Sequence, residues 1–192
     1  MPTKQIDLDS LHLESGGHQK RSEGVCIMEA VAWWAGEKHS DHPECASPVI
    51  TGYAMALNDN WPDTARQKLI PFVSRLVGTR DGHDSERGLL AVDWLIRVYT
   101  PEWLRLAGLD TEADNLANLA PITDWSAIAT IPEPLEEARS VANARWAAAR
   151  AAAGDAAWAA AGAAAWDALE PTVGRLQESA LDLLDRMCEV GR

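Results

Sequence analysis

The chain has 192 residues, 47% of them apolar and 24% charged, with a formal net charge of −12. That length allows one sizeable core with an appended helical arm, and the acidic balance excludes a general nucleic-acid-coating role, which needs Lys and Arg in excess. No apolar run reaches the roughly 18 residues that span a bilayer, so no membrane partner is expected; Cys26, Cys45 and Cys188, behind a start with no hydrophobic signal region, point to reduced thiols and a cytoplasmic protein.

Residues 1–22 read as an irregular arm. Ile6, Leu8, Leu11 and Leu13 alternate imperfectly with polar residues, which allows a short strand, and "SGGHQKRSEG" is a loop by its glycines and charges. Residues 25–35 are apolar almost all round and predict a central buried helix. After the polar connection "GEKHSDHPECAS", Ser47 and Pro48 read as an N-cap and first helical residue. Trp61–Pro62–Asp63 opens a further helix that Pro71 should kink, because proline lacks the amide proton and crowds the carbonyl four residues back.

"GTRDGHDS" is a turn, and "ERGLLAVDWLIRVY" is expected as a second core helix. Thr100–Pro101–Glu102 repeats the cap-and-proline start. Beyond it, "DTEADNLANLA" and "TDWSAIATI" suggest short helices or turns. Residues 141–170 contain 17 alanines, a long helix or two, broken near Gly154 or Gly162 and ended at Glu170–Pro171. A closing helix carries Leu176, Ala180, Leu183 and Leu184. Trp146, Trp158 and Trp166 punctuate the Ala tract, where small residues admit a close helix–helix contact and indoles fill its ends. With no convincing strands, the expected class is all-α. Its parts are an arm at 1–22, a helical core at 23–131, and an Ala-rich helical hairpin at 132–192 packed on that core. The Ala-rich helices could also pair two copies of the chain.

Glu29 is the one polar residue between Gly24 and Gly36. An ionised carboxylate cannot be buried without compensation, so it needs an arginine, a metal or a histidine. Arg80, in "LVGTRDG", is the leading arginine, and the flanking loops supply histidines. His18, Cys26, His42 and Cys45 would suit a tetrahedral zinc ion as cofactor if the two loops converge. Alternatively, Cys26 at a helix start is a nucleophile, with His18 or His42 as base and Glu29 or Asp41 orienting it.

Charge is uneven. Over residues 61–105, Arg66, Lys68, Arg75, Arg80, Arg87, Arg97 and Arg105 outnumber six acids by one, leaving −13 for the rest. An anionic ligand is therefore expected here, with Arg75, Thr79, Arg80, Asp93 and Arg97 as the binding set, since tight turns and guanidinium groups hold phosphate or carboxylate. P-loop, GxGxxG, HExxH and GxSxG patterns are all missing, which argues against the common nucleotide, nicotinamide, zinc-protease and serine-hydrolase chemistries.

The strings "GVCIMEAVAWWAGEKHSDHPECASPVI", "LNDNWPD", "LIPFVSRLVGTR" and "AVDWLIRVYTPEWLRLAGL", with the Ala/Trp tract and "SALDLLDRM", resemble a family of uncharacterised proteins found in actinobacteria and their bacteriophages. The resemblance covers most of the chain and implies a setting: a small accessory protein carried by phages or mobile elements. Two functions are carried forward. One is a non-enzymatic protein that binds a small anionic, nucleotide-like ligand or a protein partner. The other is a zinc- or cysteine-dependent hydrolase centred on Cys26, Glu29, His42 and Cys45.

Overall fold

The computed structural model describes residues 6–152 and 155–192, side chains excepted at 129–130 and 146–168. Among the described residues every regular element is helical. In chain order they are α1 (Ile27–Trp34), α2 (Pro48–Asn60), α3 (Asp63–Arg66), a 3-10 segment (Gln67–Phe72), α4 (Val73–Leu76), α5 (Asp84–Trp94), a π-helical turn (Leu95–Tyr99), α6 (Thr100–Leu106), α7 (Asp110–Ala117), a second 3-10 segment (Trp125–Thr130), α8 (Pro132–Ala152) and α9 (Asp155–Glu189). No helix among these residues is long and apolar enough to cross a membrane. The expected all-α class is what the chain adopts.

Two compact units are present: Met1–Gly88 together with Leu181–Arg192, and Leu89–Ala180. They cut the chain at Gly88 and Ala180, where the sequence reading drew its lines at residues 22 and 131.

In the first unit, α1 begins with a capping box built on a thiol. Cys26 Sγ accepts the Glu29 amide at 3.5 Å while Glu29 Oε2 accepts the Cys26 amide at 2.8 Å. Ser47 caps α2 and Pro48 opens it, as the sequence suggests. Around Pro71 the chain tightens into the 3-10 segment between α3 and α4, so the missing amide proton is accommodated by a change of helix type. Ile27, Met28, Val31, Ile50, Leu69, Leu76, Leu183, Leu184 and Met187 are buried together with Leu13 of the arm. Each such side chain contributes about 1.5–3 kcal/mol by leaving water. Over its described residues, 6–22, the arm forms no strand. Gln67 engages both backbone groups of Leu13, at 2.8 and 2.9 Å, and the Asn58 amide reaches the Glu14 carbonyl at 2.9 Å. These side chains satisfy arm backbone that would otherwise need a ladder partner.

The second unit has its core at Ile96, Leu104, Leu109, Leu116, Ile122 and Ile131. Two sequence expectations change here. "ERGLLAVDWLIRVY" is not a buried helix: within α5 the buried side chain is Arg87, and Leu89 and Val92 are only partly covered. Thr100 is not a cap either. Its hydroxyl donates to the Leu95 carbonyl at 2.8 Å, inside a π-turn that runs straight into α6. Pro101 cannot donate to the carbonyl ladder, and the wider turn passes that interruption without a break.

Helix α9 runs through Gly162, one of the two places where a break was expected, and through Pro171, where a stop was expected. Proline inside a helix costs about 3 kcal/mol. The alanine-rich run before it and the buried Leu176, Ala180, Leu183, Leu184 and Met187 after it outweigh that cost. The packing of Trp146, Trp158 and Trp166, and the expected break at Gly154, lie outside the described residues.

Candidate functional site

Glu29 sits in the first turn of α1 and is 1% exposed. The arm folds over it and supplies its partners. Oε1 accepts the His18 amide at 2.6 Å; Oε2 accepts the Cys26 amide at 2.8 Å and the His18 ring at 2.9 Å. A carboxylate only accepts, so His18 donates from Nδ1. His39 Nε2 donates to the His18 carbonyl at 2.8 Å and lies 3.6 Å from Oε1, while its Nδ1 is buried without a hydrogen-bond partner.

Gly24 makes this close fit work. Its φ is +131°, and a Cβ there would fall 2.7 Å from His18 Nε2. Burial alone would raise the Glu29 pKa; the His18 and Cys26 amides, with the His18 imidazole, outweigh it and hold the carboxyl below its ordinary value. Of the three partners open to Glu29 in sequence, histidine is the one found, and Arg80 is not.

Cys26 does not have the environment of a nucleophile. Its thiol is buried, spent on capping α1, and pushed up to about 12, by desolvation above all. The helix N-terminus that should activate it is outweighed by lost solvent and by the Glu29 charge. The two expected histidine–carboxylate pairs do form, His18 with Glu29 and His42 Nδ1 with Asp41 Oδ1 at 2.8 Å. The Glu29 carboxylate of the first pair adds to the rise of the Cys26 pKa through its charge and a side-chain hydrogen bond, the opposite of activating the thiol. Cys45 belongs to a different contact set: its amide donates to Glu37 at 2.9 Å, its carbonyl accepts from Gly78 and Arg80, and its thiol is pushed up to about 11, mainly by burial. Among the described residues no three His, Cys, Asp or Glu side chains are grouped to hold a metal ion, so His18, Cys26, His42 and Cys45 do not make the zinc set considered above.

The turn between α4 and α5 gathers the other candidates. Thr79 is buried; its hydroxyl donates to the Leu76 carbonyl at 2.8 Å and accepts the Ser47 amide at 3.0 Å, so it holds the turn instead of facing a ligand. Arg75 is taken by Asp185 and by Glu189 at 3.0 Å. In the second unit Arg97 pairs with Asp93 at 3.0 Å, and the same Asp93 oxygen accepts the Ile122 amide at 2.9 Å. These two lie in the second unit, whereas Arg75, Thr79 and Arg80 lie in the first.

Of the arginines in residues 61–105, Arg66, Arg75, Arg87, Arg97 and Arg105 each hold a carboxylate. Arg80 has no ion pair among the described residues. Arg80 lines a concavity of about 390 Å³ with His42, Pro43, Ala46, Pro48, Thr51 and Gly52. That lining contains no carboxylate, in a chain with 29 acids. Asp41 holds Nδ1 of His42, which leaves Nε2 of that exposed ring for another partner.

Sequence reasoning passed over Arg87. It is 0% exposed, donates to both Asp81 oxygens at 2.6 and 2.8 Å, and reaches the carbonyls of Thr79, Met187 and Val190 at 2.9, 3.0 and 3.1 Å. These contacts satisfy the whole guanidinium, and its hydrogen bonds hold the Asp81 carboxyl far below the usual carboxylate range. The available signal was the position: an arginine on the face of α5 that packs inward, six residues after Asp81 at the turn and three after Asp84.

No family model, curated protein or solved structure matches the chain.

Proposed function

We propose that this chain is a small accessory protein that binds an anionic, nucleotide-like ligand in the concavity shared by Arg80 and His42. The observation that carries the reading is the state of Arg80. Its arginine neighbours in sequence are neutralised by carboxylates, whereas Arg80 is left facing a concavity without an acid in its lining. A guanidinium donates charge-assisted hydrogen bonds to phosphate oxygens, and the His42 ring joins it from Nε2 when protonated as an imidazolium. Pro48, the first residue of α2, brings the positive end of that helix to the same concavity. The apolar walls from Pro43, Ala46 and Pro48 suit the flat part of a nucleoside.

The hydrolase reading has less support, because its thiol caps a helix and stays protonated at neutral pH. In the phage setting that the family resemblance implies, such a site would serve to sequester a host nucleotide. A thermal-shift panel of inorganic phosphate and nucleoside mono-, di- and triphosphates tests the reading. At 100 times Kd a ligand of the native state adds about 2.7 kcal/mol, several degrees in Tm. Arg80→Ala should abolish the shift while leaving the unliganded Tm in place, since Arg80 is exposed and makes no ion pair. A panel in which no anion moves the Tm sinks the proposal.

A further inference from the structure

We infer that the C-terminal tail, residues 187–192, clasps the Arg80 turn and thereby sets the affinity of the anion site; this rests on the binding reading above. Arg80 lies between two residues that Arg87 grips: the Thr79 carbonyl at 2.9 Å and the Asp81 carboxylate at 2.6 and 2.8 Å. The same guanidinium holds the tail through the carbonyls of Met187 and Val190. One buried side chain therefore ties the turn to the end of the chain.

The tail also touches the turn directly. Gly191 has φ +84°, and a Cβ there would fall 2.7 Å from the His83 ring and 3.2 Å from Asp81 Oδ2. Arg192 reaches back to the Arg75 carbonyl at 3.0 Å. On its other side the turn is fixed to the rim of the concavity. The amides of Gly78 and Arg80 donate to the Cys45 carbonyl at 2.9 and 3.3 Å, and Asp84 accepts the Ser47 hydroxyl. If the residues after α9 lift, Arg87 loses the Val190 carbonyl and Asp81 loses the cover of Gly191. The backbone carrying Arg80 then has fewer constraints, and an anion must order it on binding.

Coupling of this kind is reciprocal. An anion bound at Arg80 must hold the tail closed by the factor that tail opening weakens the anion. Arg87 is thus a positioning residue for the site, and a ligand need never touch it.

The test uses the full-length protein and inorganic phosphate. Hydrogen exchange of the amides at 187–192, followed with and without saturating phosphate, should slow about tenfold in the wild type and stay unchanged in Arg80→Ala. In parallel, Gly191→Val, which puts a β-branched residue at positive φ, should weaken phosphate binding by about the same factor with helicity retained. If phosphate binds through Arg80 while tail exchange and the Gly191→Val affinity stay at their reference values, the coupling is wrong and the binding reading survives. If neither phosphate nor any nucleotide of the panel binds the wild type, both fall together.

Discussion

A glutamine in place of Glu29 would turn an NH₂ group toward amides and imidazoles that all donate. The carboxylate accepts from the His18 amide, the Cys26 amide and the His18 ring, with His39 close by. Glu29→Gln should therefore cost about 3 kcal/mol or more, read as a lower urea midpoint at unchanged m-value. A cost within about 0.5 kcal/mol would mean that the buried charge is not what holds the arm. The thiol next to it gives a second expectation. Cys26 should resist a disulfide reagent at pH 8 in the native protein and react on unfolding, because its pKa stands near 12. Burial and compensation of Glu29 are legible in the sequence, since nothing else polar interrupts that apolar run. Its partners are not, because which of several loop histidines and arginines arrives depends on how residues 14–24 cross α1.

At the scale of elements, helix starts are easier to read than stops. Ser47–Pro48 and Asp124 act as local caps, and a cap is a short-range hydrogen bond that neighbours in sequence decide. Proline is a weaker guide. Pro71 moves its segment into a 3-10 helix, Pro101 follows a π-turn, and Pro171 sits within α9. In each case the local penalty of about 3 kcal/mol competes with burial of the flanking residues, which lies beyond the local window. Pro171→Ala should thus stabilise the chain by about 1–2 kcal/mol, less than the full propensity difference because alanine also frees the unfolded chain. Thermal denaturation followed by circular dichroism at 222 nm measures it, and a lower Tm in the variant would show that the proline is favoured where it stands.

For the whole molecule, acid stability joins two compensated carboxylates, Glu29 in the core and Asp81 at the surface on the buried Arg87. Glu29 and Asp81 both titrate below their ordinary values of 4.5 and 3.8, so the folded state binds protons less readily than the unfolded chain. Their contribution is complete above those ordinary values and is lost as pH falls through the folded ones. The urea midpoint should be nearly flat from pH 8 to about 5 and fall steeply below about 4. Glu29→Gln should remove part of that slope, and a midpoint that rises on acidification would contradict the assignment.

Taken alone, the sequence determined the all-α class, the start of α2, the sequestered carboxylate and the basic middle segment, because periodicity, capping and desolvation act over a few residues or on one group. Tertiary structure alone decided that histidines meet Glu29, that Cys26 is a cap, and that the middle arginines are neutralised while Arg80 is left open. Arg87 shows why: its acceptors lie six, eight, 100 and 103 residues away. A charge is used up or spared by whatever the fold sets beside it, and pairings at that separation leave no periodic trace in the chain.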